Sequence, residues 1–275
     1  MITELHCHTT ASDGTLAPAE LLELAVSRGV RILCITDHDT MAAYPEARAA
    51  ARDRLELWTG IEINCDDEIP GKGGVEVHVL GYFIDPEHGE FRRALDDLRS
   101  ARQNRIQEMV QRLNDVGVEV TAEEARAESS GPSLGRPHLA RALVRKGLVP
   151  DVNDAFDRYL AIGQVAYVPR YNLKPLRAIS LIRAAGGLPV LAHPGLMGTD
   201  ELIASYVQAG LAGLEVYYPR HTPEQVAGYE NLAARYGLLR TGGSDFHGPG
   251  HGAEVGSVEL PSDALDALRE ASARC

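Results

Sequence analysis

Six of the ten histidines of this chain, His6, His8, His38, His78, His193 and His247, fall at or just past the C-terminal end of an expected β-strand. In parallel α/β folds that edge is where ligands bind. Side chains alternate along a strand, so His6 and His8 in His6-Cys7-His8 face one site while Cys7 faces the packing side. Asp245 and His247 repeat this i, i+2 spacing in Gly243-Ser244-Asp245-Phe246-His247. Asp13 follows the first strand, Thr36-Asp37-His38-Asp39 ends the second, and Glu62 closes Gly60-Ile61-Glu62. His78 ends Glu76-Val77-His78, and His193 precedes Pro194-Gly195. Taken singly, each is a hydrogen-bonded polar residue at a strand end. Six imidazoles and three carboxylates at one sheet edge are costly to bury unless cations compensate them. The set therefore points to a polynuclear site for divalent metals, and imidazole with carboxylate and no thiolate suits Mn, Fe or Zn. Asp37 has two readings, orienting a ligand imidazole or serving an ordinary turn. Asp39 and Ser244 also adjoin candidate ligands, and Asn64 and Cys65 read as structure.

The elements that must position these groups alternate strand and helix. Strands are expected at Met1–His6, Val30–Ile35, Leu55–Ile63 and Val75–Phe83, the last after the Gly-rich turn 71–74, with helices over Pro18–Arg28 and Ala42–Arg54. From Glu90 to Val116 one long helical stretch carries no Gly or Pro, and shorter helical pieces follow to about Leu160. Alternation resumes after Pro169, with further strands at Leu188–Ala192, Gly213–Tyr217, Leu238–Thr241 and Val255–Glu259. Repeated β–α units imply a parallel sheet covered by helices, and about seven strands at this length suggest a closed barrel. The expected architecture is a barrel built from residues 1–85 and 166–275, interrupted by a helical insertion over 86–165.

On the long helix, Phe91, Leu95, Leu98, Ile106, Met109 and Leu113 share one face, and Arg102 and Arg105 fall inside that stripe. A guanidinium on an apolar face needs a partner. It is either a structural ion pair or snorkelling contact, or a grip on a phosphate, which the planar fork binds bidentately. Arg136 and His138, in Gly135-Arg136-Pro137-His138, open a helix whose N-terminus favours anions. Arg170 is a weaker candidate, and no role is assigned to His88, His221 or His251.

Composition narrows the function classes. The chain of 275 residues carries 27 Lys+Arg against 39 Asp+Glu, a net charge of −12. That balance excludes a general binder of long nucleic acid, whose affinity comes from phosphate neutralisation, and docking on anionic lipid. The charge is unevenly distributed: residues 90–147 hold 11 basic and 9 acidic residues, which leaves 16 and 30 elsewhere. A mildly basic insertion on an acidic body accommodates a small polyanion. No apolar run is long enough to span a membrane, the first residues do not read as a signal peptide, and Cys7, Cys34, Cys65 and Cys275 lack CxxC spacing. A reducing, cytoplasmic location is the expectation.

The series HxH, Asp13, TDHD, GIE, His78, AHP and SDxH, spread from His6 to His247, resembles the PHP (polymerase and histidinol phosphatase) family. It is most similar to the stand-alone phosphoesterases with a helical insertion, which act on nucleoside 3′,5′-bisphosphates or short oligonucleotides. The resemblance implies a distorted (β/α)7 TIM-like barrel and two to three divalent metals, with manganese the first expectation. His6, His8, Glu62 and Asp245 would hold one metal, and Glu62 would bridge to a second with His78 and His193. Asp13, His38 and His247 would hold a third. A metal-bound water at Glu62, His193 and Asp245 would attack phosphorus in line. The proton for the leaving group has several possible donors: His193, Asp245 or an imidazole of the site. Candidate substrate contacts are Asp13, His38, Arg102, Arg105, Arg136 and His138, the insertion acting as a lid. The expected reaction removes the 3′-phosphate of a nucleoside 3′,5′-bisphosphate. The alternatives are 5′-3′ exonucleolytic trimming of short oligoribonucleotides and, in another class, a non-catalytic metal-binding module. Histidinol phosphate is disfavoured because it is cationic at one end. The oligomeric state is left open.

Overall fold

Extended backbone begins at the second residue: β1, Ile2–Glu4, pairs in parallel with β2, Val30–Cys34, which pairs in parallel with β3, Glu56–Trp58. The crossovers are α1, Pro18–Ser27, started by proline in its first turn, and α2, Tyr44–Ala51. A computed structural model of the chain describes residues 1–129, 134–169, 171, 173–198 and 200–273. Arg170 and Cys275 lie outside the described residues. The chain divides into two compact units, Met1–Arg93 with Asn172–Cys275, and Ala94–Tyr171.

The first unit holds a second sheet of five strands in the order of the sequence. These are β4, Gly60–Ile69; β5, Gly73–Tyr82; β6, Leu188–Leu191; β7, Gly213–Tyr217; and β8, Leu239–Gly242. The last three pair in parallel. β5 is antiparallel to both β4 and β6, which departs from the all-parallel expectation. The cause lies in the turn. Only Pro70-Gly71-Lys72 separates β4 from β5, whereas a parallel crossover needs a dozen or more residues. Gly71 and Gly73 adopt φ of 78° and 96°, which reverses the chain at once.

Two further expectations are corrected. The strand expected over Leu55–Ile63 is two strands, β3 and β4, which lie in different sheets. No strand forms over Val255–Glu259, because Gly256 sits at φ 72° and gives its N–H to the buried Glu4 carboxylate instead of to a ladder. The strand ladders form two sheets that do not close into a barrel; single parallel bridges, Cys7–Phe246 and His38–Glu62, link segments flanking them. Leu5, Ile32, Leu80, Tyr82, Val190 and Leu268 belong to one buried cluster of this unit, and Leu21, Leu22, Leu33 and Phe246 to another. The remaining helices of the unit are α7, Pro175–Ala184; α8, Pro194–Met197; α9, Ile203–Gln208; α10, Pro223–Tyr236; and α11, Ser262–Ser272. The segments 188–217 and 223–242 thus keep the β–α alternation read from the sequence.

The second unit is helical and has its own core. α3, Gly89–Asp115, enters it, and α4, Ala122–Arg126, α5, Arg136–Arg145, and α6, Val152–Ala155, follow, the last continued by a π-turn over Phe156–Leu160. Ile106, Met109 and Leu113 of α3 pack with Leu139, Leu143 and Leu160, as the apolar stripe requires. No described helix is long and apolar enough to cross a membrane.

Candidate metal centre

The chain beyond β1 stays extended as a guest between two neighbours. His8 N–H donates to the Phe246 carbonyl (2.8 Å), Asp245 N–H to the His6 carbonyl (2.8 Å), and Thr36 N–H to the Cys7 carbonyl (2.9 Å). Alternation then turns Cys7 into the apolar cluster and both imidazoles to the opposite side. His6 Nε2 and His8 Nε2 each lie 3.3 Å from Glu62 Oε2, and 3.3 and 3.2 Å from Asp245 Oδ1. Ligands about 2.1 Å from one metal are separated by about 3.0 Å at right angles and about 3.4 Å in a tetrahedron. The four imidazole–carboxylate distances fall in that range.

The other Glu62 oxygen faces a second pair. Oε1 is 2.9 Å from His78 Nδ1 and 3.1 Å from His193 Nε2. A third set surrounds Asp13, whose Oδ1 lies 3.6 Å from His8 Nδ1 and 3.5 Å from His247 Nε2, and whose Oδ2 lies 3.7 Å from His38 Nε2. His38 also brings Nδ1 to 3.1 Å from Glu62 Oε2. The structure thus brings all nine sequence-derived candidates together and adds a detail: His8 and His38 each touch two donor sets. A neutral imidazole has one bare nitrogen, so each ring serves one cation at a time. His78 reaches the cluster from the interior of the antiparallel β5 rather than from a strand end.

His6 Nε2, both His8 nitrogens, His38 Nδ1 and Glu62 Oε2 are buried without a hydrogen-bond partner. Orphaned polar atoms cost free energy, and a cation among them removes that cost, so these residues fit divalent metals. The charges are matched accordingly. Burial alone would raise Glu62, but the imidazoles of His38, His6 and His78 outweigh it and hold the carboxyl well below its usual range. Burial would lower His8 and His78; the adjacent Asp245 and Glu62 carboxylates outweigh it for His8, and the Glu62 charge does so for His78, raising both to about 10. His38 goes the other way, to about 3, because burial dominates there.

A layer of carboxylates behind the cluster fixes it. Asp37 accepts from Thr9 N–H (2.7 Å), Thr9 Oγ1 (2.7 Å) and Ser12 Oγ (2.6 Å), pinning the loop that carries Asp13. Asp37 thus holds the loop that follows His8, and none of these three bonds goes to an imidazole. Asp39 accepts from Asn64 N–H and Nδ2 (2.9 Å each), tying the His38 segment to β4. Glu4 accepts from His6 N–H, from Ser244 N–H and Oγ, and from Gly256 N–H. Tyr218 donates to Asp245 Oδ2 (2.9 Å). Glu215, fully buried in β7, faces His6 Nδ1 with Oε1 (2.8 Å) and accepts from His193 N–H with Oε2 (2.8 Å). His221 accepts from Gly195 N–H (3.1 Å) and so supports the segment after His193. Asp39, His193 and Asp245 hold φ of 55°, 25° and 54°, strained values for residues with side chains, which this bonding sustains.

Glu4, Glu215 and Tyr218 are missing from the sequence reading, and His221, assigned no role there, supports the segment after His193. The legible signal was a glutamate inside an apolar strand, Gly-Leu-Glu-Val-Tyr over Gly213–Tyr217, because a parallel strand buried on both faces leaves no cheap place for one.

The four insertion candidates lie in the second unit. Arg102 is half-buried on α3, and Arg105 is buried, its Nε donating to the Val168 carbonyl at 2.7 Å. The Arg136 guanidinium lies 5.7 Å from the ring centres of both Phe156 and Tyr167. His138 Nδ1 accepts from Gly135 N–H (3.0 Å), capping α5.

A profile of the PHP domain matches residues 4–164. The chain is 36% identical over 259 residues to a 5′-3′ exoribonuclease of Haemophilus influenzae, covering 92% of each protein. It is 34% identical over 280 residues to a 3′,5′-nucleoside bisphosphate phosphatase of Chromobacterium violaceum, covering 98% of this chain and 96% of that one. A solved structure from Bifidobacterium adolescentis, put forward as a metal-dependent phosphoesterase, superposes with a TM-score of 0.81 at 33% identity, over 98% of this chain and 95% of that one.

Proposed function

Because the chain belongs to the PHP domain family, we propose that it is a metal-dependent phosphoesterase that removes the 3′-phosphate of nucleoside 3′,5′-bisphosphates. The observation that carries the reading is Glu62, one buried carboxylate with His6 and His8 against one oxygen and His78 and His193 against the other. His6, His8, Glu62 and Asp245 would hold one cation, Glu62, His78 and His193 a second, and Asp13, His38 and His247 a third. Divalent cations there supply Lewis acidity toward phosphoryl oxygens and lower the pKa of water. The chain's own part is to hold the donors at coordination spacing. Manganese is the first cation to test. Arg102, Arg105, Arg136 and His138 are proposed to receive the substrate's second phosphate, the insertion serving as a lid. A distorted (β/α)7 barrel belongs to the same proposal, with the bridges Cys7–Phe246 and His38–Glu62 in its support.

A second reading, 5′-3′ trimming of short oligoribonucleotides at the same centre, is favoured by the Haemophilus relative. A non-catalytic module has less support, since none of the nine donors is missing.

The test adds Mn, Zn or Mg singly to metal-stripped protein with adenosine 3′,5′-bisphosphate, p-nitrophenyl phosphate or a dinucleotide. Phosphate release from the bisphosphate, abolished by chelator and faster than dinucleotide cleavage, is expected. Faster dinucleotide cleavage selects the exonuclease reading, and no turnover of any ester with any metal defeats both. Arg102→Ala should raise KM for the bisphosphate on the order of tenfold, about the value of one charge-assisted hydrogen bond, and leave p-nitrophenyl phosphate unchanged. Equal effects on both substrates would remove Arg102 from the substrate site.

A further inference from the structure

We infer that Glu215 is a positioning residue that selects which nitrogen of His6 is bare, and so decides whether the first donor set can take a cation; the inference rests on the metal-centre reading above. Glu215 is fully buried in β7, on an element that contributes no candidate ligand. Its two oxygens have fixed and different tasks. Oε2 accepts from the main-chain N–H of His193, a group that can only donate. Oε1 lies 2.8 Å from His6 Nδ1, and a buried carboxylate oxygen there requires hydrogen on that nitrogen. The opposite nitrogen, Nε2, is then left for the cluster, where it points at Glu62 Oε2 and Asp245 Oδ1 without any hydrogen-bond partner. Ligand histidines are commonly oriented by a carboxylate on their second nitrogen in this way. One side chain therefore sets the ring of His6 and also the backbone of His193, which sits at φ 25° and carries the ring facing the other Glu62 oxygen.

The geometry makes a sharp distinction between glutamate and glutamine. In Glu215→Gln the carbonyl oxygen must stay on the His193 N–H, because an amide NH2 there would set donor against donor. The NH2 then faces His6 Nδ1, which must accept. The ring hydrogen moves to Nε2, and the cluster receives a donor where it needs a ligand. The change is nearly isosteric, so a role limited to filling space predicts little effect.

Metal content and affinity of the full chain are measured by calorimetry and elemental analysis with Mn and Zn, beside thermal unfolding. The tautomer of His6 in wild type is read from 15N–1H correlations, assigned with His6→Gln. The expected result is metal affinity at one site falling roughly 10- to 100-fold in Glu215→Gln, with native circular dichroism, and wild-type His6 carrying its proton on Nδ1 when metal is bound. Unchanged metal affinity in Glu215→Gln overturns the inference while leaving the metal centre standing. Wild-type His6 bare at Nδ1 in the metal-loaded protein also overturns it, and does so even where the variant fails to fold. A wild-type chain that takes up no divalent metal overturns the metal-centre reading and this inference together.

Discussion

Nine donors packed at 2.9 to 3.7 Å form a charge cluster whose proton content depends on pH. His8 and His78 keep their protons up to about 10, against an ordinary 6.5. A raised imidazole stabilises the fold fully below its unfolded value and loses that contribution as pH rises through the folded one. Asp13, Glu62 and Asp245 are depressed, so their contribution is present above the usual carboxylate range and disappears as pH falls through the lowered values. Chelator-treated protein should therefore be most stable between about pH 5 and 7, and its melting temperature should fall between pH 8 and 10. Cations displace the same protons. Titration of Mn at pH 8 in two buffers of different ionisation enthalpy should show net proton release, and identical heats in both would contradict the protonated cluster.

At the scale of elements, six of the nine candidate donors sit on three short segments held side by side: the run past β1, the run past β2 and the loop after β8. Their contact is close enough that only glycine fits at one point. A Cβ on Gly243 would lie 2.4 Å from His6 Cβ and 2.6 Å from His6 N, with backbone on one side and a ligand on the other. Gly243→Ala should cost about 1–3 kcal/mol of stability, as overpacking does, and lower metal affinity in step, because His6 and Asp245 must part. Thermal unfolding with metal titration checks this; a variant with wild-type melting and wild-type affinity would show that the segments have slack. The insertion's elements were read closely: the apolar face of α3 is buried at Ile106, Met109 and Leu113, as its spacing demands. The β4–β5 hairpin was not, because an apolar strand pattern carries no sign of its direction, and only the three-residue turn does.

On the scale of the molecule, the ligands and the insertion belong to different compact units. All nine candidate donors lie in the unit that contains both sheets, and the insertion has a separate core around Leu139 and Leu143. Leu139→Ala in that core should destabilise the chain by about 2–5 kcal/mol through the cavity it leaves, yet keep the metal stoichiometry of wild type. Calorimetry with elemental analysis reads both quantities; loss of metal in parallel with stability would show the units to be one cooperative structure. The net charge of −12 acquires a location in this division, since all of the excess acid lies outside residues 90–147 and part of it is candidate metal ligand.

What the sequence by itself determined is the chemistry and its placement. The i, i+2 pairs His6/His8 and Asp245/His247, the acids Asp13 and Glu62, and the strand-end position of most donors follow from residue type and the twofold period of a strand. Local periodicity also determined α3 and its buried stripe. Tertiary structure alone decided how the strands pair, since β5 runs against its neighbours, and which residues stand behind the ligands. Glu4, Glu215 and Tyr218 are far in sequence from most of the groups they hold, and their roles exist only once distant strands are adjacent. The same holds for the inferred choice between the two nitrogens of His6. The carboxylate that accepts from its Nδ1, Glu215, lies 209 positions away, and no local pattern of the chain encodes that contact.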